Sequence, residues 1–334
     1  GSAHEDDPIT LTGMFTDPGL SDVHEVEIDW GDANEPTNST FELTATGGLT
    51  VGDMFNSTTD DAVLTITAVD STGKVSFAVD NDYATGGIFT IIVTVSDDDT
   101  GAAAPASTLA VVSGVGLQNG VLQIIGTSED DHVSLNQTGN GTLKVHADFI
   151  PEDALGETRN FVLANVDRIF MLLCDGDDHA TVSGRITLDT IIDGGDGDDH
   201  LNGGDGSNVI LGRDGDDHIN GGSGRDILIG GLGQDRIIGN PERDLISGGV
   251  LQNSATATTD SIADEDDILV MQERLKEATD IEFDEYRDGT DDVFAGLGLE
   301  IVDDAGEADS LTGSSADDWF LLFANDTATD ANSN

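Results

Sequence analysis

The chain has 334 residues, enough for two domains of ordinary size, and its 67 acidic and 12 basic residues give a formal net charge of −55. A negative field of that size repels nucleic acids and anionic membranes, and so few basic residues argue against an anion-binding cleft. Hydrophobic residues nevertheless make up 37% of the chain and are regularly patterned, which excludes a disordered polyanion and leaves an acidic fold that needs cations.

Residues 1–112 are predicted to form the first domain, an all-β sandwich. Apolar and polar residues alternate along three runs, which Gly, Pro and Ser turn signals separate. These runs are 62–70, 74–80 and 88–97, and a last strand is expected at 108–112. Short strands at this spacing over roughly 100 residues are typical of an immunoglobulin-like (Ig-like) sandwich, here without the paired cysteines of antibody domains.

The same segment resembles PKD-like domains of bacterial surface proteins. The resemblance is carried by VEIDWGD at 26–32 and FTIIVTVSDDDTG at 89–101. The acidic turns of this domain are compatible with one Ca²⁺ site at a pole of the sandwich, or with solvated carboxylates alone. The residues concerned are Asp17, Asp22, Asp29, Asp32, Asp97, Asp98 and Asp99.

Residues 113–193 are predicted to form irregular coils that resemble a parallel β-helix. Short apolar strands are spaced by Asp-Gly turns, as in VDRIFMLLCDGDDHATVSG. The single cysteine, Cys174, lies in an apolar run, so we expect a buried structural thiol. One cysteine also excludes an intrachain disulfide.

Residues 194–249 carry a strict nine-residue repeat. Six blocks keep one register from Gly194 to Ser247: GGDGDDHLN, GGDGSNVIL, GRDGDDHIN, GGSGRDILI, GGLGQDRII and GNPERDLIS. The last three residues of each block predict a short strand whose middle side chain points inward. These inward residues are Leu201, Ile210, Ile219, Leu228, Ile237 and Ile246.

Stacking of the blocks explains how so much negative charge is tolerated. Two strands and two turns close one coil of a parallel solenoid, so each block lies over the second block after it. Stacked strands are about 4.8 Å apart, which brings the aspartates of neighbouring coils together, and bare carboxylates at that spacing repel. A hard cation between them, completed by turn carbonyls, has the all-oxygen shell that Ca²⁺ takes, so we expect calcium as the cofactor.

The repeat is similar to the calcium-binding nonapeptides of RTX (hemolysin-type) proteins, which form a parallel β-roll. The resemblance implies that a sixth-position side chain and the second- and fourth-position carbonyls form half a metal site, completed by the next coil. The implied side-chain ligands are Asp199, Asp217 and Asp235 along one edge and Asn208, Asp226 and Asp244 along the other. The implied carbonyl ligands belong to Gly195, Gly197, Gly204, Gly206, Arg213, Gly215, Gly222, Gly224, Gly231 and Gly233. Pairing blocks one with three, three with five, two with four and four with six gives up to four interior sites.

Two blocks depart from this pattern, and two turns outside the repeat resemble it. Asn208 is a neutral ligand and should weaken its site, and Asn240-Pro241-Glu242 replaces the glycine pattern of the sixth block. The sequence GDDH recurs at 176–179, with EDDH at 129–132. Asp178, and with fewer flanking glycines Asp131, are therefore candidate ligands in related turns.

Four histidines follow an Asp-Asp pair at the seventh position, which should face outward. His200 and His218 lie one coil apart by block count and are expected to stack, and His132 and His179 occupy related turns. A surface ladder of imidazoles is compatible with a transition-metal site, but a polar ladder without a ligand is the interpretation we favour.

Residues 250–334 are predicted to form a helical and β cap that hides the open end of the solenoid. The stretch 263–278 places Ile268, Met271, Leu275 and Ala278 on one helical face. Two further nine-residue blocks follow, at 304–312 and 313–321.

The sequence thus predicts an Ig-like (PKD-like) sandwich, a parallel β-roll and a short helical cap. Neither H-E-x-x-H nor G-x-S-x-G occurs, and no stretch approaches the ~20 apolar residues of a membrane span. We expect a non-enzymatic, calcium-stabilised segment of a larger secreted or cell-surface bacterial protein. The alternatives are an adhesin whose sandwich binds an extracellular glycan or protein, and a carbohydrate-active enzyme built on 117–193.

Overall fold

The structure is a computed structural model, nearly all β. It describes residues 3–5, 7–16, 23–34, 38–44, 48–97, 104–150, 157–242, 244–253, 299–302, 307–313, 319–322 and 325–329. Within these ranges one 3₁₀ turn, Leu163–Asn165, is the only helical element. The chain divides into two compact units, Ala3–Val112 and Ser113–Asn334, which are described separately.

The first unit contains two antiparallel sheets around one apolar core. Its strands are β1 (Ala3–His4), β2 (Pro8–Thr16), β3 (His24–Asp29), β4 (Ser39–Leu43), β5 (Met54–Asn56), β6 (Val63–Val69), β7 (Lys74–Asp82), β8 (Gly87–Asp97) and the first part of β9 (Ala106–Gln118). One sheet has the order β2-β7-β6-β5, and β4, β3, β8 and β9 are neighbours in the other. This two-sheet arrangement is an all-β unit, and its Ig-like or PKD-like character stays a prediction.

Strict alternation along the strands produces this core. In β3, Val26 and Ile28 are buried and Glu25 and Glu27 are exposed, because successive side chains of a strand point to opposite faces. Trp30 is buried in the same core, and its indole N–H donates to the Ser39 hydroxyl at 2.7 Å.

The second unit is built on two parallel ladders that run along one solenoid. The first ladder contains β11 (His132–Gln137), β15 (His179–Val182), β17 (His200–Asn202), β19 (His218–Asn220), β21 (Arg236–Asn240), β25 (Ser310–Gly313) and β27 (Thr327–Thr329), and β12 (Thr142–Ala147) and β13 (Thr158–Val162) extend it. The second ladder contains β10 (Val121–Ile125), β14 (Arg168–Leu172), β16 (Thr190–Asp196), β18 (Asn208–Asp214), β20 (Ile227–Leu232), β22 (Leu245–Ser247) and β26 (Trp319–Leu321). A separate antiparallel pair consists of β23 (Val250–Asn253) and β24 (Leu299–Val302).

The repeat closes one coil every two blocks, as the sequence predicts. Leu201 pairs with Ile219 in the first ladder, and Ile210 pairs with Leu228 in the second. All six predicted inward residues are fully buried and belong to one continuous core with residues of 113–193. The large parallel sheets are those of a β-roll.

The two ladders differ on their outer faces. In the second ladder the outward residues of the repeat are buried and, except for Ser247, apolar, for example Val209 and Ile227. In the first ladder most of the equivalent positions are polar and reach solvent, for example His200 and Asn202, with Ile238 as an apolar exception. Strand β23 contacts β20, so residues that follow the repeat help to cover the apolar face.

Coil stacking resumes after a long insertion. β21 pairs with β25 and β22 pairs with β26, so the two blocks predicted at 304–312 and 313–321 continue the ladders. The helix predicted at 263–278 lies outside the described residues.

Candidate metal centres

The sixth-position side chains of the blocks form two buried columns, one at each edge of the roll. The first column contains Asp131, Asp178, Asp199, Asp217, Asp235 and Asp309. The second column contains Asn208, Asp226 and Asp244, preceded in register by Thr190. The edge-by-edge placement expected for the repeat is therefore present, and the first column extends beyond the repeat at both ends.

Each carboxylate is fixed by the turn of the preceding coil. In the first column the backbone N–H of Asp178 donates to Asp199 Oδ1 at 2.8 Å, and that of Asp217 donates to Asp235 Oδ1 at 3.0 Å. In the second column the N–H of Asp226 donates to Asp244 Oδ1 at 2.9 Å. One oxygen of every repeat carboxylate is thus used to hold the turns in register.

In four of these aspartates the other carboxylate oxygen is buried without a donor. The Oδ2 atoms of Asp178, Asp199, Asp217 and Asp226 have no hydrogen-bond partner. A buried acceptor left in this state costs about 1–3 kcal/mol, and more when it is charged. Because the cost recurs at four aspartates, we expect a proton or a metal ion to compensate the buried carboxylates.

A carbonyl oxygen of the next coil lies near two of these Oδ2 atoms, those of Asp217 and Asp199. A β-carbon built on Gly212, the first residue of the third block, would overlap Asp217 Oδ2 and lie 2.5 Å from the Gly230 carbonyl oxygen. The same relationship joins Gly194 to Asp199 Oδ2 and to the Gly212 carbonyl oxygen. The first glycine of a block is required because the carboxylate lies directly over it.

The electrostatics follow from this environment. Burial raises the pKa of Asp217 to about 9 and the pKa of Asp178 to about 8, and neighbouring carboxylates add to both shifts. Burial also raises the pKa of Asp199 and of Asp226 to about 7. The ionised form of each group is therefore unfavourable until a cation compensates it.

The carbonyls implied as ligands lie between stacked turns. A β-carbon at Gly231 would overlap the Arg213 carbonyl oxygen, and one at Gly233 would overlap that of Gly215. The second column repeats the pattern, with Gly222 against the Gly204 carbonyl oxygen and Gly224 against that of Gly206. The turn before the repeat does the same with Cys174 against Gly195 and Gly176 against Gly197.

The donor set fits a hard ion. Among the residues that the structure describes, no three His, Cys, Asp or Glu side chains converge as a metal cluster. Each gap between turns instead offers carboxylate oxygens from the stacked coils and carbonyl oxygens. An all-oxygen set of this kind suits Ca²⁺ rather than a transition metal. When bound, the ion would neutralise the buried carboxylates.

Asn208 differs from the aspartates because an amide nitrogen, and not a carboxylate oxygen, faces the turn carbonyls. Its Nδ2 lies 3.4 Å from the Gly204 oxygen, 2.9 Å from that of Gly206 and 2.8 Å from that of Gly221. The same nitrogen donates to Asp226 Oδ1 at 3.0 Å.

The sixth block keeps its place in the second column despite its altered turn. Asn240 and Glu242 adopt φ values of 75° and 97°, a left-handed backbone that elsewhere in the repeat favours glycine. Asp244 is fully buried and accepts the Asp226 N–H.

The candidates before the repeat divide into two cases. Asp178 has an unpartnered Oδ2 like Asp199, Asp217 and Asp226. The carboxylate of Asp131 accepts the N–H of Thr127 at 2.6 Å and its hydroxyl at 3.0 Å, so its oxygens have donors. Cys174 is half-buried, not fully buried as expected, and this burial raises the pKa of its thiol to about 12.

Two features were not found by sequence reasoning. Asp309 belongs to the first column, and the signal was its sixth position in the block 304–312. Asp193 binds the guanidinium of Arg213 through two contacts of 2.8 Å. No sequence signal identifies that pair, because Asp193 precedes the repeat and Arg213 stands where glycine is usual.

The four histidines form a column on the outer face of the first ladder. The ring centroids of His132 and His179 are 5.9 Å apart, those of His179 and His200 are 5.2 Å apart, and those of His200 and His218 are 4.3 Å apart. Partial burial and neighbouring histidines lower the pKa of His179 and of His218, and Arg236 lowers that of His218 further. Arg236 continues the column beside His218.

The acidic turns of the first unit show local bonding. Asp29 Oδ1 accepts the N–H of Gly31 at 3.0 Å, and Asp32 Oδ1 accepts that of Asn34 at 2.8 Å. Asp17, Asp22, Asp98 and Asp99 lie outside the described residues. A calcium site at this pole stays a prediction.

Comparison with known proteins agrees with the geometry of the repeat. The family model of the RTX calcium-binding nonapeptide repeat matches residues 193–228 and 229–250, in four copies. No curated protein and no solved structure matches the chain significantly. Among the described residues, no helix is long and apolar enough to cross a membrane. The segment 193–250 therefore carries RTX repeats, which imply calcium binding in a structural segment.

Proposed function

We propose that this chain is a non-enzymatic segment of a larger secreted or cell-surface bacterial protein, and that extracellular calcium drives the folding of its β-roll. The observation that carries the proposal is the series of buried Oδ2 atoms without donors at Asp178, Asp199, Asp217 and Asp226. Secretion is supported by the RTX repeats, since proteins with these repeats are typically secreted.

The mechanism is coupled binding and folding. Without calcium, the stacked carboxylates must be protonated or repel one another, which opposes closure of the coils. Calcium held by the carboxylates and the turn carbonyls would reverse that repulsion, and its binding free energy becomes folding free energy. Extracellular modules bind Ca²⁺ with affinities of about 10⁻⁴ to 10⁻³ M, so such a roll stays open at cytosolic calcium and closes outside the cell.

Thermal unfolding of the whole chain tests this proposal. Circular dichroism melts in EGTA, in millimolar CaCl₂ and in MgCl₂ at equal ionic strength should show a calcium-specific rise in Tm. MgCl₂ is the control for charge screening, because Mg²⁺ demands a stricter octahedral shell and keeps its waters. Identical melting curves in EGTA and in calcium would reject the mechanism.

A second candidate is an adhesive role for the first unit. A cleft whose polar lining includes Asp60, Asp61, Asp80, Asn81 and Asp82 favours it, because such side chains can hydrogen-bond sugar hydroxyls. A glycan array probed with the whole chain in calcium tests this role.

A further inference from the structure

The side chain of Asn208 is surrounded by the same kinds of oxygen that the resemblance assigns to a metal site. It is fully buried. Its Nδ2 reaches the second- and fourth-position carbonyls of its own block, Gly204 and Gly206, and the Gly221 carbonyl and Asp226 carboxylate of the next coil. Four oxygen atoms thus lie within 3.4 Å of one nitrogen that carries two hydrogens.

Asn208 Nδ2 and Asp217 Oδ2 occupy equivalent positions on the two edges. A β-carbon at Gly203 would lie 2.8 Å from Asn208 Nδ2 and overlap the Gly221 carbonyl oxygen. A β-carbon at Gly212 would overlap Asp217 Oδ2 and lie 2.5 Å from the Gly230 carbonyl oxygen. Asn208 Nδ2 can donate hydrogens to the oxygen atoms around it, whereas Asp217 Oδ2 has no hydrogen to donate to its similar neighbours.

We propose that the amide of Asn208 takes the place of the cation in its layer, so that the gap between the second and fourth blocks closes without calcium. The proposal rests on the proposed function, because it treats the aspartate layers as calcium sites. The proposal implies that the two edges differ in their need for calcium. The first column depends on calcium at Asp199 and Asp217, whereas the first layer of the second column holds no metal ion.

The opposite orientation of the amide makes a different prediction. If Oδ1 faced the four oxygens, only a bound cation would offset the repulsion, and Asn208 would be a calcium ligand. In the structure Oδ1 points away from them and has no hydrogen-bond partner. That cost is about 1–3 kcal/mol, and the two hydrogens of Nδ2, shared among four oxygens, offset it.

Reciprocal substitutions on the two edges test the proposal. The number of calcium ions per chain is measured by isothermal titration calorimetry and by calcium analysis after dialysis. Asn208→Asp is expected to add one ion to the wild-type count, and Asp217→Asn is expected to remove one. In EGTA at pH 8, Asn208→Asp should lower Tm and Asp217→Asn should raise it, since one change adds and the other removes an uncompensated carboxylate.

A readout on the unmodified chain avoids any dependence on variant folding. The side-chain NH₂ signals of ¹⁵N-labelled Asn208 should be protected from exchange in saturating calcium, because both hydrogens are donated to buried oxygens. Rapid exchange of these protons in the folded chain would contradict the proposal.

The outcomes separate this inference from the proposed function. If Asn208→Ala loses one ion while Asn208→Asp keeps the wild-type count, Asn208 is a ligand and the inference fails, although the chain still binds calcium. An Asn208→Asp chain that does not fold even in saturating calcium also contradicts it. A wild-type chain that binds no calcium overturns both.

Discussion

The backbone N–H of Asp199 donates to Oδ1 of Asp217, eighteen residues later, at 2.8 Å. This bond links two turns that are one strand spacing apart. It uses one oxygen of the Asp217 carboxylate, and the other oxygen, Oδ2, lies near the Gly230 carbonyl oxygen. The chain therefore positions the negative groups before any ion arrives. Their protonation and their affinity for calcium are linked, which leads to the first prediction.

Without calcium, the folded chain should become less stable as pH rises. Burial raises the pKa of Asp217 to about 9 and that of Asp178 to about 8, whereas the ordinary value is 3.8. Between those values the folded state binds more protons than the unfolded state, so the free energy of unfolding falls with increasing pH. Urea unfolding in EGTA at pH 5, 7 and 9 measures this slope.

Calcium should displace those protons, so that the free energy of unfolding no longer falls with increasing pH. Calorimetric titrations at pH 7 in two buffers of different ionisation enthalpy should give different apparent binding enthalpies. A free energy of unfolding that rises from pH 5 to pH 9 in EGTA would show that these aspartates are not protonated in the folded state.

Truncation of an inward side chain of the repeat should destabilise the roll more than truncation of the outward side chain next to it. Ile237 is fully buried in the roll and Ile238 is half-buried on its outer face. Ile237→Ala should cost about 2–5 kcal/mol of unfolding free energy, because it leaves a cavity in a packed core. Ile238→Ala serves as the matched control and should cost clearly less. Both are measured by urea unfolding in saturating calcium, and equal costs would contradict the assigned register.

A β-carbon at the second position of a block should disrupt the stacking of turns. Gly231 has a φ of 124°, and a β-carbon there would overlap the Arg213 carbonyl oxygen. Gly231→Ala should therefore destabilise the roll by at least about 2 kcal/mol and weaken calcium binding. Gly139→Ala, with nothing within 4 Å of the added carbon, should change stability by less than about 0.5 kcal/mol. Similar Tm values for the two variants would argue against close stacking at this turn.

The pair between Arg213 and Asp193 should stabilise the start of the roll. The two side chains are 18% and 5% exposed, so removal of the guanidinium leaves a carboxylate buried without its cation. Arg213→Ala should cost about 3–5 kcal/mol. Arg213→Lys should be intermediate, since it keeps the charge and loses the two-pronged contact. Urea unfolding checks both variants, and a wild-type midpoint for Arg213→Ala would exclude the pair as a stabilising contact.

Local periodicity made much of the roll predictable. Six blocks in one register determine that Leu201 lies over Ile219 and that the sixth positions align, because the strand period and the coil length leave one arrangement. The orientation of the Asn208 amide was not predictable, since it depends on which neighbouring atoms carry hydrogens. The burial of Val209 on an outward face also could not be read from the repeat, because residues from other parts of the chain decide what covers that face.

The first column passes from Asp235 to Asp309, whose bond spans 74 residues where the preceding bond, from Asp217 to Asp235, spans eighteen. The stack thus selects partners by geometry and tolerates any chain length between them, and each doubling of such a loop costs only about 0.6 kcal/mol in closure entropy. A whole domain can therefore be inserted into the gene at that turn without breaking the contacts between the coils on either side. For protein engineering, the same turn is an entry point at which a cargo domain would come under the control of calcium.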